Sequence, residues 1–113
     1  VGSVAGIRPV ARNAIYASSK ASAQAITRSV ALELAGTGIR VNSVLPGSAI
    51  TPLAISQSSL EAIRADAERV IPLRRAAAAS EVASAICFLL SDDASYVTAT
   101  DLIVDGGLAG SAS

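Results

Sequence analysis

The sequence contains no histidine, no methionine and no tryptophan, one cysteine, and aromatic residues at only 3%. Without histidine, and with a single thiol, a metal centre built from imidazole and thiolate ligands is excluded, as is an internal disulfide. The lone Cys87 sits in the apolar run Ala85-Ile86-Cys87-Phe88-Leu89-Leu90 and reads as a small core hydrophobe; a reactive thiol would need a neighbouring base. Nine basic residues balance nine acidic ones, so there is no charge excess to attract nucleic acid or an anionic membrane. No apolar run approaches the length of a bilayer span and no charged-then-apolar leader opens the chain, so a soluble, cytoplasmic protein is expected. The chain begins in mid-pattern at Val1-Gly2-Ser3-Val4-Ala5-Gly6 without a methionine, which is expected of a piece of a longer chain.

What is present is aliphatic. Hydrophobic residues make up 51% of the 113 positions, enough for a packed core in one domain or part of one. Residues 1–13, punctuated by Gly2, Gly6 and Pro9, read as a strand end followed by a loop. A helix is predicted over residues 14–36, with Ala23, Ile26, Val30 and Leu34 on one face and Ala21, Ala25, Ser29 and Leu32 on another, hence buried on both sides. Ile39 to Leu45 reads as a β-branched strand closed by Pro46-Gly47. Strand end, helix and strand make a βαβ unit with parallel strands. Residues 46–57 read as a loop. Ser58 and Glu61 match a capping box opening a helix to about Val70, which Pro72 prevents from continuing. Residues 71–79 read as a linker, Ser80 as the N-cap of a helix to about Leu90, and Asp101–Asp105 as a short buried strand stopped by Gly106-Gly107. The small, polar tail from Gly110 to Ser113 is expected to be loose.

Within the first helix, Tyr16 and Lys20 are four residues apart and therefore share a face. A cation beside a phenol favours the phenolate and moves the group toward proton transfer near neutral pH. Each chemical candidate also has a plain structural role available. Ser3 suits a turn, Pro46-Gly47 a strand terminator, Thr51 a cap, and Asp105 with its glycines a turn rather than a metal ligand. Asn42 suits bonding to nearby backbone.

Ser3, then Tyr16 thirteen residues on, then Lys20, resemble the active site of the short-chain dehydrogenase/reductase family. Further segments agree in order. Arg40-Val41-Asn42-Ser43-Val44-Leu45-Pro46-Gly47 resembles the family's sixth strand and cofactor loop, and Thr51-Pro52 falls where that loop turns over the nicotinamide. Ile71-Pro72-Leu73 and Glu81-Val82-Ala83 resemble its late helical region, and Asp105-Gly106-Gly107 its terminal strand. The resemblance covers residues 1–110.

It implies an α/β fold, the C-terminal part of a Rossmann-like, doubly wound parallel sheet. Residues 1–113 would supply the end of strand five, strands six and seven, and the intervening helices of a single NAD(P)-binding domain whose N-terminal half is absent. The implied reaction moves a hydride between NAD or NADP and a small-molecule carbonyl or hydroxyl substrate, as in 3-oxoacyl thioester reductases and related alcohol dehydrogenases. By this resemblance Tyr16 is the general acid/base, Lys20 supports it and binds the nicotinamide ribose, and Ser3 bonds the substrate oxygen. Tyr16, Lys20, Pro46, Gly47, Ala49 and Thr51 would contact the cofactor. The Tyr-to-Lys spacing of four differs from the wider spacing of the enoyl-reducing branch. Members of the family commonly form homodimers or homotetramers. The family's Gly-rich phosphate loop and the asparagine of its fourth catalytic position are missing, Arg74 and Ala99 stand where glycine is usual, and Ala49 replaces a larger aliphatic. The alternative reading is a truncated, non-catalytic chain or interaction module that cannot bind dinucleotide alone.

Overall fold

The structure, a computed structural model, describes residues 1–111. The chain opens with a 3-10 turn at Val4–Gly6 and then forms helix α1 (Ala14–Leu34), which continues into a second 3-10 turn at Ala35–Thr37. Gly38, at a left-handed φ of 83°, ends it. Strand β1 (Ser43–Pro46) follows, then β2 (Ala49–Ile50), α2 (Pro52–Gln57), α3 (Leu60–Val70), β3 (Ala77–Ala78), α4 (Ala79–Leu90), a 3-10 turn at Asp92–Ala94, and β4 (Asp101–Val104). β1 pairs in parallel with β4, Ser43 opposite Asp101 and Pro46 opposite Val104. β2 pairs in parallel with β3, Ala49 opposite Ala77.

Successive residues of a strand face opposite sides of a sheet, and β1 uses both sides. Val44 packs with Leu89 and Ala94 in a cluster that Val82, Ala85, Ile86, Val97, Leu102 and Val104 complete. Leu45, fully buried, lies on the other side against Gly2, which also touches Gln24 of α1. The sheet is thus covered by α4 on one face and by α1 with the opening turn on the other. The Gly2 N–H donates to the Val44 carbonyl (2.8 Å), so the N-terminal segment runs beside β1. A second cluster of Ala67, Ile71 and Ala76 seats α3.

Several expectations change. The strand expected from Ile39 is regular only from Ser43, because residues 40–42 are tied to the chain before β4 by side chains. Asn42 Nδ2 donates to the Val97 carbonyl (2.9 Å), and its Oδ1 accepts from Thr100 N (3.2 Å). The Val41 N–H donates to Thr98 Oγ1 (3.2 Å). The expected loop 46–57 contains β2 and α2, with Thr51 as N-cap and Pro52 at the first helical position. Ser59, not Ser58, caps α3, its hydroxyl accepting from Ala62 N (3.1 Å), while Ser58 closes α2. α4 starts one residue before Ser80; its start is held by Glu81, whose carboxylate accepts from Ala78 N (2.8 Å). α1 is buried on one face alone. Ala17, Gln24 and Ala31 point inward at intervals of seven, whereas Ile15, Ile26 and Leu32 are exposed. Cys87 is exposed, because Val82, Ala85, Ile86 and Leu89 form the inward stripe of α4 and Cys87 falls outside it.

The tail is held as far as Ser111. Its N–H donates to the Gly107 carbonyl (3.0 Å) and its hydroxyl accepts from Arg8 Nη1 (3.1 Å). The last two residues of that expectation lie outside the described residues. Arg74 (φ 57°) and Ala99 (φ 58°) both adopt left-handed backbone, as does Arg12 (φ 67°). Glycine would take these conformations without the Cβ penalty. Among the described residues no helix is long and apolar enough to cross a membrane, and no cluster of acidic or thiol side chains could hold a metal ion.

Candidate active site

Asn13 occupies the N-cap position of α1 without a side-chain capping bond, and Tyr16 projects from the first turn. The 3.6-residue period brings Lys20 under it, with Nζ 5.6 Å from the centroid of the Tyr16 ring. Tyr16 is 46% exposed. It lines an open cavity of about 660 Å3 with Arg12, Asn13, Ala14, Ile15 and Ser19. Lys20 Nζ also donates to the Val1 carbonyl (3.4 Å), linking α1 to the segment that carries Ser3.

Ser3 is the N-cap of the opening turn, its Oγ accepting from Ala5 N (3.1 Å). This is a turn-capping role, and it leaves the hydroxyl hydrogen free to donate. The turn is pressed onto α1. A Cβ on Gly6 would lie 2.2 Å from Gln24 Oε1, 3.0 Å from Ala21 N and 3.1 Å from the Lys20 carbonyl carbon. The absence of a side chain at Gly6 therefore sets the distance between the Ser3 turn and the helical turn bearing Lys20.

Gln24 is a buried polar position behind the site that the sequence pattern did not single out. It is 2% exposed and donates through Nε2 to Asp101 Oδ2 (3.2 Å). The Asp101 carboxylate also accepts from the Ser43 hydroxyl and pairs with Arg28. A carboxylate demands a donor, so the amide nitrogen faces Asp101 and Oε1 is left toward Gly6, unpartnered among the described residues. The available signal was a polar residue seven positions from both Ala17 and Ala31 on the buried stripe.

β1 ends with Pro46 opposite Val104, and the following loop begins at Gly47. The Gly47 N–H is committed to the Val104 carbonyl (3.0 Å), and a Cβ there would lie 2.8 Å from that of Asp105. Packing alone therefore requires Gly47, and a ligand would find only its carbonyl. Ala49 sits in β2, and Thr51 Oγ1 accepts from Ala54 N (3.1 Å) while retaining its O–H donor. Asp105 is a turn residue, accepting from Gly107 N (2.8 Å) and Ala109 N (2.6 Å). The structure thus brings Lys20 to Tyr16 and ties Lys20 to the N-terminal segment. Ser3 and the 46–51 loop do not line the cavity that Tyr16 opens into.

Two further polar devices brace this frame. Arg40 Nη1 donates to the carbonyls of Leu89 (2.8 Å) and Val97 (3.2 Å), and Nη2 to that of Ser91 (3.2 Å), neutralising the C-terminal end of α4. Arg75 makes a bidentate pair with Glu81 (2.7 and 2.8 Å). That pair, and then the Ala78 N–H, hold the Glu81 carboxyl at about 2, against an ordinary 4.5.

The family model described as Enoyl-(Acyl carrier protein) reductase matches residues 1–109. The chain is 44% identical over 108 residues to a 3beta-hydroxysteroid dehydrogenase of Eggerthella lenta, covering 96% of this chain and 41% of that protein. It is 41% identical over 111 residues to the levodione reductase of Leifsonia aquatica, covering 93% of this chain and 42% of that one. The chain belongs to the short-chain dehydrogenase/reductase family. A solved oxidoreductase structure from Escherichia coli superposes with a TM-score of 0.82 at 37% identity, covering 98% of this chain and 41% of that one. The short-chain dehydrogenase/reductase chain described here thus spans about two fifths of the length of the relatives it matches. Its parallel strands and flanking helices are part of the family's Rossmann-like α/β fold.

Proposed function

We propose that the whole protein is an NAD(P)-dependent oxidoreductase that interconverts a carbonyl and a hydroxyl group on a small molecule, residues 1–113 forming the C-terminal segment of its single nucleotide-binding domain. The observation that carries this is the Lys20 ammonium held 5.6 Å over the ring of a half-exposed Tyr16 that faces an open cavity. The matched relatives are named a dehydrogenase and a reductase, which agrees with a reversible reaction. Carbonyl rather than enoyl reduction is the reading taken, because Tyr16 and Lys20 are four residues apart.

The residues present fit a nicotinamide cofactor. Lys20 has one long hydrogen bond and two N–H donors left for ribose hydroxyls. Thr51 keeps its O–H, and Pro46 ends β1 with Gly47 and Ala49 just beyond its carboxyl end, where open parallel sheets bind ligands. When bound, such a cofactor supplies the hydride for reduction or accepts it in oxidation. The Tyr16 hydroxyl gives its proton to the carbonyl oxygen in reduction and takes it from the hydroxyl in oxidation. Lys20 holds a positive charge 5.6 Å from the centre of the Tyr16 ring, where it would offset the negative charge left on the phenol after proton transfer. The Ser3 O–H is free to donate, and the family resemblance assigns it to the charge developing on the substrate oxygen, a role that requires the substrate to reach beyond the cavity lined by Tyr16 toward the opening turn.

Tyr16→Phe tests this in the full-length protein. Turnover should fall by about 100-fold or more, the usual contribution of a positioned acid/base, while cofactor affinity persists. Undiminished turnover would remove Tyr16 from the chemistry.

A further inference from the structure

We propose that Arg12 makes the substrate site selective for anionic compounds, the preferred substrate carrying a carboxylate or an equivalent anion beside the reacting carbonyl or hydroxyl. This rests on the assignment of Tyr16 as the acid/base and extends it to the substrate class.

The cavity beside Tyr16 carries a positive side chain and no negative one. Its walls are Arg12, Asn13, Ala14, Ile15, Tyr16 and Ser19. The same loop contains a second arginine, and the two are used differently. Arg8 is spent on structure, donating to the Leu108 carbonyl and to Ser111 Oγ, which fastens the loop to the C-terminal turn. Arg12 makes no ion pair and no side-chain hydrogen bond among the described residues, and it is exposed at the cavity wall. Neutral groups in the wall do not compensate it. The Ser19 hydroxyl donates to the Tyr16 carbonyl (2.7 Å), and Ala14 and Ile15 are apolar.

A guanidinium with a free fork of N–H donors matches a carboxylate, sulfonate or phosphate bidentately. Arg12 lies four residues before Tyr16 in the chain and shares its cavity, so an anion held there sits within one small molecule's length of the phenol. Binding at a second point also orients the reacting carbon against the acid/base. The apolar wall of Ala14 and Ile15 suits the short carbon skeleton between the two groups.

The test uses the full-length protein, with NADH and NADPH oxidation followed on two matched pairs: acetoacetate with methyl acetoacetate, and 4-formylbenzoate with its methyl ester. Within each pair the reacting carbonyl is retained while the anionic carboxylate is replaced by a neutral ester, and the Arg12 variants separate the charge effect from the added methyl group. The acid should be preferred in kcat/KM by about tenfold or more, as expected for a charge-assisted pair partly screened by water. Arg12→Gly should bring the acid-to-ester ratio toward one, mainly by raising KM for the acid. Arg12→Lys should keep part of the preference, since it retains charge but loses the fork. Glycine is favoured by the left-handed backbone at this position, so Arg12→Gly is compatible with folding. Turnover with no acid preference, or a preference that Arg12→Gly leaves intact, overturns the assignment of Arg12 alone. Absence of cofactor oxidation with all four compounds counts against the hydride-transfer reading itself, and the charge assignment falls with it.

Discussion

Replacing Gly6 with alanine should both destabilise the protein and slow it, because the added methyl has no place to go. Its Cβ would lie 2.2 Å from Gln24 Oε1 and 3.0 Å from Ala21 N. The second contact is helix backbone and cannot rotate away. The first belongs to a side chain pinned by its 3.2 Å bond to Asp101, itself held by Ser43 and Arg28. Two responses are open. The turn lifts off α1, an overpacking cost of about 1–3 kcal/mol. Alternatively Gln24 swings out and its hydrogen bond to a charged partner is lost, about 1.5–3 kcal/mol. Either way the expected loss is roughly 1–3 kcal/mol, or about 2–12 °C in melting temperature for a domain of the size these relatives imply. Calorimetry of the full-length protein reads it. Gly36→Ala is the control, since a Cβ there meets nothing within 4 Å among the described residues, and it should be neutral or stabilising by about 0.4–1 kcal/mol. Because Gly6 N donates to the Ser3 carbonyl (3.0 Å), lifting the turn also displaces Ser3, so kcat should fall with the stability. A Gly6→Ala protein as stable and as active as the parent would refute the claim that this glycine sets the position of the Ser3 turn.

Ala99, at φ 58°, should accept glycine with a gain of about 1 kcal/mol, the penalty of a Cβ in left-handed backbone; an unchanged unfolding midpoint would show that the strain is relaxed elsewhere. Glu81 should titrate at about 2 by carboxyl NMR, and Arg75→Gln should move the midpoint up toward the ordinary 4.5. Because its folded-state value is depressed, the contribution of Glu81 to stability is present above about pH 4.5 and disappears as the pH falls toward 2. An ordinary midpoint in the unmodified protein would mean that the bidentate pair does not persist in solution.

The sequence by itself determined that Tyr16 and Lys20 share a helix face, and the order of the longer elements α1, β1, α3, α4 and β4. Tyr16 and Lys20 share a face because the helical period dictates it, and the breaks at Gly38, Pro72 and Gly106 follow from backbone sterics local to those residues. Arg74 and Ala99 stood out only through the family resemblance, as positions where glycine is usual, and both adopt left-handed backbone. Where competing local signals existed, the choice was not legible. Ser58 and Ser59 are both competent caps, and only the end of α2 decided that Ser59 opens α3. The Thr51-Pro52 pair was read for its place in a cofactor loop, yet it also starts a helix.

Tertiary structure decided which side of each helix is buried. The aliphatic residues of α1 would satisfy two faces; the part of the sheet in this segment covers the face that carries Gln24, and Ile26 and Leu32 lie on the side it leaves uncovered. It also decided the partners of isolated polar groups. Gln24 and Asp101 are 77 residues apart, and no local pattern couples them; the parallel pairing of β1 with β4 brings Asp101 to α1. Arg8 and Arg12 look equivalent in sequence, four residues apart in one loop. The fold gives Arg8 two partners near the C-terminus and leaves Arg12 beside Tyr16, because whether a side chain is held or available depends on what the rest of the chain places within its reach.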